Sequence, residues 1–392
     1  MNRREVLADL PAWLPGERVV VVTARTAVDA LPHPVEGLHR VEVVADDHYG
    51  SADVESLCEQ LCREEGVTRV LSTAEVDIVR AARLRERLGL PGQSVESATA
   101  FRDKHVMKTA AAAAGVRTAE MALVDGPAGL LEFAERVGCP VVVKPVDGAG
   151  SIGVRVVGDE VAARTCELSS DRRWLAEQYL TGRLCHVDGL MAWGLVLLSR
   201  ESVYLHSNLD TVARSVPSSS AMLPTEDPLA VQLRAQTAAV VAALPPVPDP
   251  TAFHAEFFAE PGGPVLCEIA CRPGGCGIVE SVELSTSVNL YAAQLRGQAG
   301  LGVPLVVRTD RFGWAWFPPR AATLRALPEN CPLPGTRRWR ALAEPGTRHD
   351  APASSTDRVA ELVFRLEPAA DADTVLREID AWWDAAAVWS NG

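Results

Sequence analysis

Two carboxylates close to residue 260 have the spacing of a cation site. Read as strands, residues 253–259 and 265–272 alternate from side to side with a period of two. That places His254, Glu256 and Phe258 on one face of the first, and Leu266, Glu268, Ala270 and Arg272 on one face of the second. Pro261-Gly262-Gly263-Pro264 closes a hairpin between them, so Glu256 and Glu268 face each other if the register is simple. Facing carboxylates repel unless a cation lies between them, and hard oxygen ligands suit a Mg²⁺ ion that bridges phosphate oxygens. Arg272 would then meet an anion. The plain alternative is two exposed acids on a solvent face. His254 reads as a packed or hydrogen-bonded histidine.

A second stretch with chemistry in it covers residues 140–157. A β-branched run ends at Lys144, a proline follows, Gly148, Gly150 and Gly153 fill the loop, and a second β-branched run leaves it. The G-x-G-x-x-G spacing suggests a dinucleotide fold only where it opens a helix, and here Val154-Arg155-Val156-Val157 is strand sequence. A glycine-rich hairpin with Ser151 and Ile152 at its tip can lay bare N–H groups over phosphates. Without partners it is an ordinary hairpin with a surface lysine. Lys104 and Lys108 stand one turn apart in a helix over 101–114 and read as a solvated face, with a role beside the loop as the alternative.

These residues need strands and helices to hold them. Strands at 18–23, 40–45 and 68–72 alternate with helices at 54–65 and 80–88, which implies a small parallel-sheet domain. A strand at 121–124, a helix at 130–137, the glycine hairpin, a helix at 161–168 and a strand at 174–180 follow. Residues 186–198 read as a hairpin turning near Gly194, 215–228 as a polar mobile loop, 227–243 as a helix and 245–250 as a stiff proline connector. The part from about residue 305 is rich in Pro and Arg, has Trp314 and Trp316 alternating as core residues do, and ends in a helix over 371–383.

With 38 basic and 51 acidic side chains the net charge is −13 and no basic block occurs, which disfavours nucleic acid or an anionic membrane as a partner. Residues 1–16 have no long apolar core, and no apolar run is long enough to cross a bilayer. Nine cysteines without regular spacing fit a reduced cytoplasmic protein, and Cys267, Cys271 and Cys276 read as buried thiols.

Lys104 within Phe101-Arg102-Asp103-Lys104, Lys144 before the glycine loop, Glu177-Gln178-Tyr179-Leu180, Glu256, and Glu268-Ile269-Ala270-Cys271-Arg272-Pro273-Gly274-Gly275 come in the order and spacing of the ATP-grasp superfamily. Over residues 18 to 300 the chain resembles its carboxylate–amine ligase branch, which includes L-amino acid ligases and carnosine synthase and, more distantly, D-alanine:D-alanine ligase and biotin carboxylase. The resemblance implies an α/β ATP-grasp fold. Its parts would be a Rossmann-like parallel-sheet domain (1–100), a small α+β subdomain with a glycine-rich lid (101–180), a large α+β subdomain with the metal site (181–304) and a C-terminal α+β extension (305–392).

The resemblance further implies ATP and Mg²⁺ as cofactors. Lys104 and Lys144 would contact the α- and β-phosphates, and the loop with Gly148, Gly150, Ser151, Ile152 and Gly153 would close over the γ-phosphate. Glu177, Gln178, Tyr179 and Leu180 would read the adenine edge, with Val142 and Leu266 as apolar walls. Glu256 and Glu268 would hold Mg²⁺. Arg272, Lys144 and Ser151 would act at the reacting groups.

The expected reaction joins a small-molecule carboxylate, an amino acid, to an amine through an acyl phosphate, releasing ADP and phosphate. A carboxylase, a small-molecule kinase or a catalytically poor ATP-binding module on the same fold stay open. Relatives are often homodimers. Two positions depart from the family pattern: Leu184 stands where a ribose-binding Glu is common, leaving His186 or Asp188 as substitutes, and Ala270 stands where an Asn metal ligand is common.

Overall fold

The computed structural model describes residues 4–31, 33, 35–305 and 310–390. Two sheets carry the residues singled out above. The smaller has four strands in the order Met121–Val124, Trp174–Gln178, Val141–Pro145, Arg155–Val157, each antiparallel to its neighbour. Val141, Val143, Trp174 and Ala176 point to a core closed by Leu130 and Phe133 of the Pro127–Val137 helix. Alternation therefore sends Val142, Lys144 and Glu177 to the opposite face. The glycine loop joins two antiparallel strands, as its flanking sequence requires.

The larger sheet has eight strands. In order they are Gly263–Ala270, Thr251–Glu260, Arg183–Ala192, Leu195–Tyr204, Ser218–Met222, Arg311–Phe317, Ala360–Leu366 and Thr336–Ala341. In Thr251–Glu260 the side chains of Phe253, Ala255 and Phe257 are fully buried in one core, and His254 and Glu256 alternate onto the other face. Burying a Phe side chain contributes about 1.5–3 kcal/mol, so the apolar face anchors the strand that carries Glu256.

Two expectations need correction. Residues 68–72 form no ladder among the described residues, because side chains take their backbone groups. Arg85 Nε donates to the Val70 carbonyl at 3.0 Å, Gln298 Oε1 accepts from Ser72 N at 2.9 Å, and Gln294 Nε2 donates to the Ser72 carbonyl at 2.7 Å. The parallel sheet of the N-terminal region is thus the pair Val20–Ala24 and Arg40–Val44.

The 215–228 stretch is no mobile loop. It contains the buried strand Ser218–Met222, whose small side chains fit between two neighbouring strands. After residue 305, Arg311–Phe317, Ala360–Leu366 and Thr336–Ala341 extend the large sheet through the pairing of Arg311–Phe317 with Ser218–Met222, and Thr323–Ala326 pairs with Val388–Ser390 in a separate two-stranded sheet. Trp314 and Trp316 are buried as expected. Among the described residues no helix is long and apolar enough to cross a membrane.

Candidate active site

Asp103 caps the helix Lys104–Ala113, accepting from His105 N at 2.9 Å and Val106 N at 3.1 Å, and so fixes where Lys104 and Lys108 point. Lys104 Nζ lies 3.0 Å from Glu268 Oε2 and 2.7 Å from the carbonyl of Gly148. One turn on, Lys108 is buried and donates to Glu177, whose other oxygen is 2.7 Å from Lys144 Nζ. The solvated-face reading of Lys108 is therefore wrong, and its place one turn from Lys104 was the signal available in the sequence.

Two ammonium groups share one buried carboxylate in this trio. Burial pushes the Glu177 carboxyl up, but Lys108 and Lys144 outweigh it and hold the group down at about 2. Burial likewise opposes the charge on Lys144, and Glu177 overrides it so that its pKa rises. One anion cannot fully compensate both cations, and burial of Lys108 wins there, lowering its pKa. The trio carries an excess positive charge directed at the cleft face of the small sheet.

Glu256 and Glu268 are direct cross-strand partners. The register then shifts, with Phe257 paired to Leu266, so Cys267 is the extra residue of a β-bulge. The bulge corrects one expectation: Leu266 leaves the Glu268 face and lies fully buried in the core with Phe257 and Met107. Burial pushes the Cys267 thiol up to about 12, against the influence of Lys144 and Lys108. Burial also raises the Glu268 carboxyl, and Lys104 and Lys144 outweigh it, bringing it to about 2.

Glu256 Oε1 receives Asn208 Nδ2 at 3.0 Å and Tyr204 Oη at 3.3 Å, and His254 Nε2 lies 3.4 Å away. Behind it, His254 Nδ1 is 2.9 Å from Asp188 Oδ1, the other Asp188 oxygen is 2.5 Å from His186 Nδ1, and His186 Nε2 is 2.6 Å from Ser220 Oγ. Burial works against a charged His254, but the Asp188 carboxylate raises it to about 10. His186 and Asp188 are bound to each other in the interior, so neither replaces Leu184 as a free acceptor for a sugar.

The glycine loop projects from the small sheet. Gly150, Ser151 and Gly153 adopt positive φ, the conformation that glycine takes at least cost, and Ile152 is exposed at the tip. Gln178 N donates to the Glu120 carbonyl at 2.9 Å, and Tyr179 and Leu180 run on from it with part of their surface open. Arg272 Nε is 2.5 Å from Glu75 Oε2, and Arg102 Nε is 3.3 Å from the second Glu75 oxygen. Burial opposes the Arg272 charge, yet Glu75 raises its pKa. Glu75 and Arg102 border a cleft of about 680 Å³ that reaches Asp147 at the root of the glycine loop.

The structure thus gathers Lys104, Lys144, Gly148, Glu177 and Glu268 through direct contacts, with Glu256 as partner of Glu268. Ser151 stays on the loop and Val142 shares the face of Lys144. The sequence reading missed Glu75, Tyr204 and Asn208.

No family model matches the chain. It aligns over its full length with the crystal structure of an L-amino acid ligase from Bacillus licheniformis, at a TM-score of 0.75 with 15% identity and 96% of that chain covered. A biotin carboxylase domain of the Hydrogenobacter thermophilus 2-oxoglutarate carboxylase, solved with MgADP and bicarbonate, gives a TM-score of 0.65 at 15% identity, over 99% of this chain and 88% of that one. The chain shares the fold of these two structures, the ATP-grasp fold.

In sequence, the chain is 24% identical over 339 residues to the L-arginine-specific L-amino acid ligase of Bacillus subtilis, covering 83% of this chain and 81% of that protein. In both sequence and fold the chain is thus similar to L-amino acid ligases.

Proposed function

We propose that the protein is an ATP-dependent ligase that joins an amino acid to an amine through an acyl phosphate, releasing ADP and phosphate. The observation that carries this reading is the position of Lys104, whose ammonium touches both Glu268 and the Gly148 carbonyl of the glycine loop. One side chain thereby ties the metal-type carboxylates to the loop that would cover phosphates. Residues 101–180 and 181–304 would form the two jaws around ATP.

The donor set fits a divalent cation. Glu256 and Glu268 stand opposite each other with hard oxygens, and Lys104 supplies the positive charge between the jaws. When bound, Mg²⁺ would neutralise phosphate oxygens as charge develops on them. Lys144 and Lys108, undercompensated by Glu177, would receive further phosphate oxygens. Arg272 and Glu75 would hold the carboxylate and ammonium ends of an amino acid, as an adjacent cation and anion can.

In the first step a carboxylate oxygen attacks the γ-phosphorus, the bond to the β–γ bridging oxygen breaks, and ADP leaves with that electron pair. The amine nitrogen then attacks the acyl carbon, phosphate leaves, and the nitrogen gives up a proton. Closure of the glycine loop would keep water from the acyl phosphate.

The test is to supply ATP, Mg²⁺ and a panel of amino acids labelled with ¹⁸O in the carboxylate. The expected result is an amide product, ADP, and one ¹⁸O in the released phosphate. Release of AMP and pyrophosphate would overturn the acyl-phosphate route, and a stable phosphorylated product or a requirement for bicarbonate would redirect the reading to a kinase or a carboxylase.

A further inference from the structure

Resting on the ligase reading, we infer that Asn208 supplies a third protein ligand to the divalent cation held by Glu256 and Glu268. Ala270 lies directly across from His254 in the strand pairing and has only a methyl group to offer. The carboxylate strands therefore bring two metal-type oxygens donors and no third.

The buried His186, Asp188 and His254 have donor types that would suit a metal. Their atoms are already occupied: both Nδ1 atoms bind the two oxygens of Asp188, and His186 Nε2 binds Ser220. Imidazole is also a poorer match to Mg²⁺ than an oxygen donor.

Asn208 carries a hard carbonyl oxygen beside the amide nitrogen that bonds Glu256. Its terminal amide lies 3.0 Å from Glu256 Oε1, the shortest of the three approaches to that oxygen. Ligands at neighbouring corners of an octahedron with bonds of about 2.0–2.1 Å are separated by about 3 Å, which is the same spacing. The two ends of the amide are alike in shape, so a half-turn about the Cβ–Cγ bond puts its carbonyl oxygen where the nitrogen stands. Tyr204 Oη donates to Glu256 Oε1 at 3.3 Å and His254 Nε2 lies 3.4 Å from it, so all three approaches are to Oε1 and the other carboxylate oxygen of Glu256 is the one offered to the metal.

The backbone beneath Asn208 is fixed. It begins the helix Asn208–Arg214, where Ser207 and Asp210 form a reciprocal capping box. The side chain is thus delivered to Glu256 from a segment separated from both carboxylate strands in sequence.

The inference is tested by titrating Mn²⁺ into the ADP complex and following free Mn²⁺ by electron paramagnetic resonance, with wild type, Asn208→Ala and Asn208→Asp. Asn208→Ala should weaken Mn²⁺ about tenfold. Asn208→Asp can ligate a metal but cannot donate to Glu256, so it should bind Mn²⁺ at least as well as wild type. If it binds as weakly as Asn208→Ala, the side chain acts as a hydrogen-bond donor and the inference fails, as it also does if Asn208→Ala has no effect.

Wild type grown with ¹³C-asparagine gives an independent readout: ¹³C hyperfine coupling to Mn²⁺ is expected, and its absence overturns the assignment. A wild-type protein that binds no Mn²⁺ with ADP would overturn the ligase reading too, whereas failure confined to the variants or the coupling removes only Asn208.

Discussion

Glu177 of the small sheet lies between the ammonium groups of Lys144 and Lys108, and one helical turn from Lys108 stands Lys104, the cation that meets Glu268, itself opposite Glu256 on the large sheet. The first cluster has one anion for two cations, the second two carboxylates beside one lysine. Each is short of the charge that its ligand would bring, phosphate in one case and a divalent cation in the other. The first is also a closed, buried unit whose members support the fold, while the second borrows order from Tyr204, Asn208 and the Asp188 relay. Substitutions in the two should fail in different ways, on stability in one and on metal-dependent turnover in the other.

The largest effect is expected from Glu268→Gln, which removes the carboxylate joined to Lys104. Turnover should fall by about 100-fold or more, with a melting temperature near that of wild type. Glu177→Gln should do the opposite first: it leaves Lys108 and Lys144 buried without a counter-charge, a loss of about 3–5 kcal/mol that denaturant titration would read. If Glu268→Gln unfolds the protein and Glu177→Gln leaves stability unchanged, the contrast between the clusters is wrong.

Acid should act on Glu177 directly, while Glu268, held equally low, titrates over the same range. Lys108 and Lys144 hold the Glu177 carboxyl down at about 2 in the folded protein, against 4.5 for a free glutamate, so the unfolded chain binds the proton more readily. Its contribution is present in full above about pH 4.5 and is lost as the pH falls toward about 2. Stability curves should therefore drop on that acid side, and Glu177→Gln should flatten the drop. An unchanged slope in the variant would mean that other carboxylates dominate acid unfolding.

How far the sequence could be read follows the same division. Lys144, Glu177 and the glycine hairpin lie within a short span whose alternation survives in the structure, so their common face was legible. The pairing of Glu256 with Glu268 was expected on a simple register and arises otherwise: the turn pairs Glu260 with Gly263, which alone would set Glu256 opposite Cys267, and the bulge there brings Glu268 across instead. That bulge was not legible, and it also takes Leu266 into the core. Asn208 and Glu75 reach the site only through tertiary packing, with no periodic pattern to announce them. The Ser218–Met222 strand was missed because its serines look like a loop until both neighbouring strands are known to need small side chains.

The smallest effect should come from the loop that spans the two clusters. Gly150 has φ +62°, and a Cβ added there would lie 3.5 Å from Ser354 Oγ, an ordinary contact. Gly150→Ala is therefore opposed mainly by the left-handed backbone, at about 1–2 kcal/mol, and not by a clash. That strain acts on the loop conformation and leaves the lysine trio untouched, so turnover should slow several-fold while ADP affinity changes little. Lys144→Ala should show the reverse balance, weakening ADP first, because it removes an ammonium from the cleft face. Paired nucleotide titrations and steady-state rates on the two variants separate these cases, and an equal loss of affinity in both would make the loop a fixed wall of the nucleotide site instead of a lid.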